Sequence, residues 1–219
     1  MGLIFFVVGA GSTGWKRDPY ARALGPGFPH CDCIVRDPQS YPWHDQDFQP
    51  PAFHDLLIYQ LHIGTFYAVD AEGRDRRAPA GAKFLDVLDR IHYLVDLGVN
   101  AIQPLPIVEF ATEHSLGYNG TDYFSPEKDY TVAPADLAPY LAQANQLLTA
   151  RGRQPLRPEH LLSHSNQLKA LIDICHVYGL AVLLDVVSNH AGGDFGDESL
   201  YFFDREVNRS NNDSLYFTD

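Results

Sequence analysis

The chain has 219 residues, 45% of them hydrophobic and 20% charged, which is the balance of a globular protein and not of a disordered one. That length holds one substantial domain, or a small one with part of another. A formal net charge of −12 speaks against a partner gripped through its phosphates, because such binding needs a basic surface; no nucleic-acid partner is expected.

The three cysteines, Cys31, Cys33 and Cys175, give neither an even disulfide framework nor a zinc spacing. They read as buried or idle thiols in a reducing compartment, so a cytoplasmic location is expected. The apolar run from Met1 to Val8 lacks a basic start and is far too short to span a bilayer. It reads as a strand, and no membrane partner is expected. The glycosylation sequons at Asn119, Asn208 and Asn212 are then chance matches.

Residues 1–14 read as the last strand of an upstream β-domain. Residues 15–54 read as a linker, rich in proline at Pro19, Pro26, Pro29, Pro38, Pro42, Pro50 and Pro51. From residue 55 the pattern changes to alternating strand and helix. Leu56 to Ile63 is a first strand. Phe84, Leu85, Val87, Leu88, Ile91, Leu94 and Val95 recur at helical spacing, and Gly98 closes that helix.

Ala101 to Leu105 is a short second strand, ended by Pro104 and Pro106, and a long loop carries Glu113 to Tyr130. Leu137 to Thr149 is expected as a helix. Leu168, Leu171, Ile172 and Cys175 mark another, with Ser163 or Ser165 as N-cap and Gly179 as its close. Ala181 to Val187 is a third strand, with Leu183, Asp185 and Val187 on one face. Strand–helix–strand–helix–strand implies an α/β fold with a parallel sheet and right-handed crossovers. Three such units are too few to close an eight-stranded barrel, and the sequence looks cut at both ends.

Two motifs compete as sites. Gly9, Gly11 and Gly14 follow an apolar run and match the dinucleotide fingerprint on paper. That motif needs a helix whose N-terminus holds the pyrophosphate, and Pro19, Gly25, Pro26, Gly27 and Pro29 leave no room for one. The nucleotide reading is disfavoured, and no cofactor is expected.

The second constellation pairs the loop from Leu116 to Phe124 with the run from Asp185 to His190. In a βα-barrel both loops open at the C-terminal ends of the strands. A tyrosine ring there can lie against the apolar face of a sugar while carboxylate, amide and imidazole bond its hydroxyls. His62 and His176 are assigned to packing.

These residues carry a family resemblance. The run DVVSNH (185–190) resembles the first signature region of the α-amylase superfamily, glycoside hydrolase family 13. GYNGTDYF (117–124) resembles the loop whose tyrosine floors the −1 subsite. Residues 98–106 resemble that family's second strand, and residues 55–66 the first strand of its glycogen-branching members.

The resemblance implies a partial (β/α)8 TIM barrel over residues 55–219, about strands one to three, preceded by a remnant of an N-terminal β-sandwich. It implies that Tyr118 stacks on the −1 glucose and His190 bonds its 6-hydroxyl. Asp185 would steady an arginine beside a nucleophile carried on a later strand. Asn189 is a calcium ligand in many amylases, but branching-type members usually lack that ion, so no metal is expected.

The implied partner is α-1,4-glucan, as glycogen, starch or maltooligosaccharide. The favoured reaction is 1,4-α-glucan branching by retaining double displacement. The alternatives are an α-amylase-like or malto-oligosyltrehalose-trehalohydrolase-like hydrolase and, from another class, a non-catalytic glucan-binding remnant. A retaining enzyme needs two carboxyls about 5–5.5 Å apart, and in this family they follow later strands. No Asp or Glu here matches them; Glu198, Asp204 and Asp213 are assigned to the loop after strand three. The chain alone is therefore expected to be inactive and, with open sheet edges, poorly soluble.

Overall fold

The computed structural model describes residues 2–7, 14–26, 31–67, 72–75, 81–112, 114–190 and 192. In chain order it forms β1 (Gly2–Leu3), β2 (Phe5–Val7), β3 (Gly14–Lys16), β4 (Cys33–Ile34), β5 (Ile58–Leu61) and a single turn, α1 (Ile63–Phe66). A 3-10 stretch (Phe84–Arg90) then leads into α2 (Ile91–Leu97). There follow β6 (Ala101–Pro104), β7 (Val108–Phe110), β8 (Gly120–Pro126), α3 (Leu137–Ala150), α4 (His164–Val177) and β9 (Ala181–Val182).

The chain divides into two compact units, each discontinuous in sequence. The first holds residues 1–37, 106–128 and 186–219, and the second holds 38–105 and 129–185.

The second unit is the βα part. β5, β6 and β9 form a parallel sheet in that order, with Ile58 opposite Ala101 and Ile102 opposite Val182. The expected helices are present. The first starts as a 3-10 stretch, and at its entry the Asp86 carboxylate accepts from the Lys83 N–H at 2.7 Å. Its apolar residues Phe84, Leu85, Leu88, Ile91 and Leu94 are buried. Gly98 closes it with φ +85°, a left-handed value that a Cβ would strain. α4 is capped by Ser163, whose hydroxyl accepts from the Asn166 N–H at 3.2 Å.

Two expectations are corrected here. The third strand is much shorter than residues 181–187: its ladder covers Ala181 and Val182, and the Leu183 N–H adds one bond to the Ile102 carbonyl at 2.9 Å. Its neighbour β6 ends at Pro104, which has no N–H to offer a longer ladder. Asp185 thus lies beyond the strand and not within it. The stretch after Pro106 is also not a plain loop, since β7 and β8 pair there as an antiparallel hairpin in the first unit. Glu113, the expected start of that loop, lies outside the described residues.

The proline-rich stretch expected as a linker is divided between the units, and its second part, from residue 38, packs on α4. Tyr41 is buried and its hydroxyl donates to Asp173 Oδ2 at 2.8 Å. The His44 N–H donates to Asp173 Oδ1 at 2.8 Å, and its ring Nδ1 lies 2.7 Å from Oδ2. Asp45 pairs with His176 at 2.7 Å, and the His176 ring stacks on Phe48 at 4.2 Å. Periodicity marks Ile172 as a core position, yet it is half-buried, while Asp173 and Ile174 beside it are fully buried. The carboxylate can be buried because the segment 41–44 supplies its donors.

Replacing Asp173 with alanine leaves the Tyr41 hydroxyl and the His44 N–H buried without their acceptor. A loss of about 3 kcal/mol is expected, read as a lower urea midpoint at unchanged slope. Tyr41→Phe, which deletes one neutral donor, should cost only about 1 kcal/mol.

Candidate functional site

The first unit is built from short antiparallel pairs, β1 with β4, β2 with β3 and β7 with β8. Gly14 begins a strand, so no helix starts there; Gly9 and Gly11 lie outside the described residues. Cys31, Cys33, Ala21 and Leu24 form a small apolar cluster. Burial pushes both thiols above their usual range, and all three cysteines are free and buried.

The hairpin carries three acids with no access to water, each held by named partners. Asp122 pairs with Arg17 at 3.2 Å, both side chains being essentially fully buried. Glu109 pairs with the Lys128 ammonium, and its Oε2 accepts from the Lys128 N–H at 3.0 Å. Glu127 accepts from the Phe110 N–H at 3.0 Å. Burial raises the pKa of Glu109 and of Asp122, while Lys128 and Arg17 pull each back. Asp122, part of the motif 117–124, is thus a structural anchor for the hairpin.

The loop between β7 and β8 shapes the candidate site. The Gly117 N–H donates to Ser115 Oγ at 2.9 Å, and the Ser115 hydroxyl bonds Asn119 Oδ1. Gly117 has φ +91°, and a Cβ there would lie 2.0 Å from the Pro106 carbonyl oxygen. At Gly120 a Cβ would meet Val108 at 2.4 Å, and at Gly192 it would meet the Asn119 carbonyl at 1.7 Å. The Gly192 N–H donates to the Gly120 carbonyl at 2.9 Å, which ties the segment after His190 to β8.

Within this unit Tyr118, Asn189 and His190 come together. His190 Nε2 lies 2.7 Å from the Tyr118 carbonyl, and the Tyr123 hydroxyl donates to the His190 carbonyl at 2.6 Å. A carbonyl only accepts, so Nε2 carries a proton. Nδ1 lies 2.9 Å from the Asn189 side-chain oxygen, Oδ1. Tyr118 is 42% exposed, so the loop holds its backbone and presents its ring.

Asp185 is the last residue of the second unit, half-buried past the C-terminal end of β9. At the same end of that parallel sheet His62 follows β5. Its Nε2 lies 3.1 Å from the Tyr130 hydroxyl and its Nδ1 3.4 Å from Thr65 Oγ1. Glu198, Asp204 and Asp213 lie outside the described residues. Among the described residues no helix is long and apolar enough to cross a membrane.

Sequence reasoning missed the Arg17–Asp122 and Glu109–Lys128 pairs. Their only local signal was acids inside otherwise apolar, strand-like runs. Their partners lie 105 and 19 residues away.

Parallel βα units, with His62 and Asp185 at the C-terminal end of their sheet, define a protein of the α/β class. Comparison with known proteins agrees and is more specific. The chain is 33% identical over 175 residues to malto-oligosyltrehalose trehalohydrolase of Deinococcus radiodurans, covering 80% of this chain and 22% of that protein. It is 28% identical over 217 residues to the 1,4-α-glucan branching enzyme of Synechococcus elongatus, covering 86% of this chain and 23% of that one. A pullulanase structure from Bacillus acidopullulyticus superimposes with a TM-score of 0.62 over 96% of this chain and 25% of that one; at 23% identity this speaks to the fold alone.

No protein-family model matches the chain. The chain belongs to the α-amylase superfamily, glycoside hydrolase family 13. It spans less than a quarter of the length of these two relatives.

Gly117→Ala is expected to displace the loop, because the added carbon meets backbone and not a yielding side chain. The result should be a stability loss of about 1–3 kcal/mol and, by nuclear magnetic resonance, loss of the His190 to Tyr118 contact.

Proposed function

We propose that residues 1–219 supply part of the substrate face of an α-glucan-active enzyme that works by retaining double displacement. The observation that carries this is the loop pair in the first unit, where Gly117, Gly120 and Gly192 admit close backbone approach and His190 is fixed against Tyr118. On this reading Tyr118 stacks on the −1 glucose and His190 bonds its 6-hydroxyl. Asp185 steadies an arginine beside the nucleophile, and Asn189 orients His190. The partner is α-1,4-glucan, and the location is cytoplasmic.

The strands Gly2–Leu3 and Phe5–Val7, each in an antiparallel pair, support the reading of a β-sandwich remnant ahead of a partial barrel. The domain reading stays with residues 1–14 as that remnant and 55–219 as barrel. Residues 15–54 join them, in part as packing for α4.

Two reactions fit this frame. Branching, an α-1,4 to α-1,6 transfer, follows from the strand-one residues 55–66. Hydrolysis has a specific observation in its favour, because the relative at 33% identity is a trehalohydrolase and the branching relative stands at 28%. In a polypeptide that carries residues 1–219 together with the two catalytic carboxyls, the products separate them. Branching adds α-1,6 linkages without new reducing ends, whereas the trehalohydrolase reaction releases trehalose.

The 219 residues on their own should leave amylose unchanged, with no new reducing ends and no loss of iodine colour. Groups that act as a unit cost many orders of magnitude when absent, and no acid here matches the nucleophile or the acid/base. Turnover abolished by Asp185→Ala, and absent from a mock preparation, would overturn this.

A further inference from the structure

Tyr20 and Phe124 form an aromatic pair on the surface of the first unit. They are 70% and 53% exposed, with ring centroids 5.2 Å apart and planes inclined by 31°. Neither ring sits on a loose arm. Tyr20 occupies the third position of a turn in which the Ala21 N–H donates to the Asp18 carbonyl at 3.0 Å. Pro19 fits its second position, and Asp18 Oδ1 accepts from the Tyr20 N–H at 2.9 Å.

The Asp18 N–H in turn donates to the buried Cys33 Sγ at 3.1 Å. Next in sequence, the buried Arg17–Asp122 pair ties this turn to β8, which carries Phe124. An open cleft of about 210 Å³ adjoins Tyr20, lined also by Asp18, Arg22, Cys33 and Arg36 among others.

We propose that the Tyr20–Phe124 pair and its cleft are a second contact for α-glucan, in addition to the Tyr118 loop. At this spacing the two rings are offset against each other, and the outward ring face of the pair offers an apolar surface to the C–H face of a hexose. Beside them the second carboxylate oxygen of Asp18 accepts from sugar hydroxyls, and the guanidinium groups of Arg22 and Arg36 donate to them. The cleft is smaller than the roughly 300–1,000 Å³ of an enclosed small-molecule pocket, which suits one edge of a longer polymer. A polyanion is a poor occupant, given the net charge of −12. The choice of α-glucan rests on the proposed function.

The test is native affinity electrophoresis of the 219-residue chain in gels with and without glycogen, alongside Tyr20→Ala, Phe124→Ala and Tyr118→Ala. Retardation of the parent chain should fall about tenfold in apparent affinity in each of the first two variants and return in Tyr20→Trp. Urea midpoints should stay unchanged for Tyr20→Ala, since that ring is mostly exposed.

Retardation lost in Tyr118→Ala but kept in Tyr20→Ala and Phe124→Ala overturns the second contact and leaves the proposed function standing. Retardation lost only in the Tyr20 and Phe124 variants supports the contact and counts against the Tyr118 assignment. No retardation of the parent chain overturns both, and equal retardation by a β-linked glucan overturns the assignment to α-glucan.

Discussion

A carboxylate shut away from water has to be answered by donors, and each unit of this chain is organised around at least one such obligation. In the second unit it falls on Asp173. Every oxygen of that side chain is spoken for by Tyr41 and His44, residues more than a hundred positions away in sequence. A proline-rich segment with little apolar content becomes part of the folded core by this route. Tyr41 contributes a buried ring as well as a hydroxyl, so burial and hydrogen bonding act together. In the first unit it falls on Glu109, answered by Lys128, and on Asp122, whose Oδ2 meets Arg17.

Buried ion pairs of this kind seldom add much net stability, because desolvation offsets attraction. Their effect here is to fix which segments meet. Arg17 can satisfy Asp122 only if the turn at residues 18–21 lies against β8, and that choice sets where Tyr20 and Phe124 stand. The glycines act in the same direction at shorter range. Gly117, Gly120 and Gly192 each touch backbone or a branched side chain that a methyl group would displace. The candidate loop therefore owes its shape to missing side chains as much as to present ones.

Much of the βα unit was legible in the sequence. The helix of residues 84–97, its stop at Gly98 and the Ser163 cap follow from apolar spacing and terminal chemistry, which are local signals. The parallel order of the strands follows from the alternation of elements. The length of β9 was not legible, because the apolar run 181–187 reads as a strand whatever its neighbour offers, and Pro104 in β6 sets the limit. The hairpin of residues 108–126 was hidden by its bulges, which shift the register between Val108 and Phe110 and break the alternation. At the site, residue types in the two motifs named Tyr118, Asn189 and His190. That His190 would meet the carbonyl of Tyr118, and not its ring, is a matter of loop geometry no local pattern encodes.

That last contact bears on what the loop can do. A histidine fixed through both ring nitrogens is oriented before any ligand arrives, which lowers the ordering cost on binding. It also means that a sugar hydroxyl cannot simply be added to the ring; it has to replace Asn189 at Nδ1 or the Tyr118 carbonyl at Nε2. Replacing the carbonyl would leave a backbone oxygen to be satisfied elsewhere and loosen the Tyr118 loop. Replacing the Asn189 amide frees only a side chain, exposed and able to turn to water. On the proposed reading the economical exchange is therefore at Nδ1, with Nε2 kept on the Tyr118 backbone, so that a hydroxyl bonded to His190 and a sugar stacked on Tyr118 would be held by one piece.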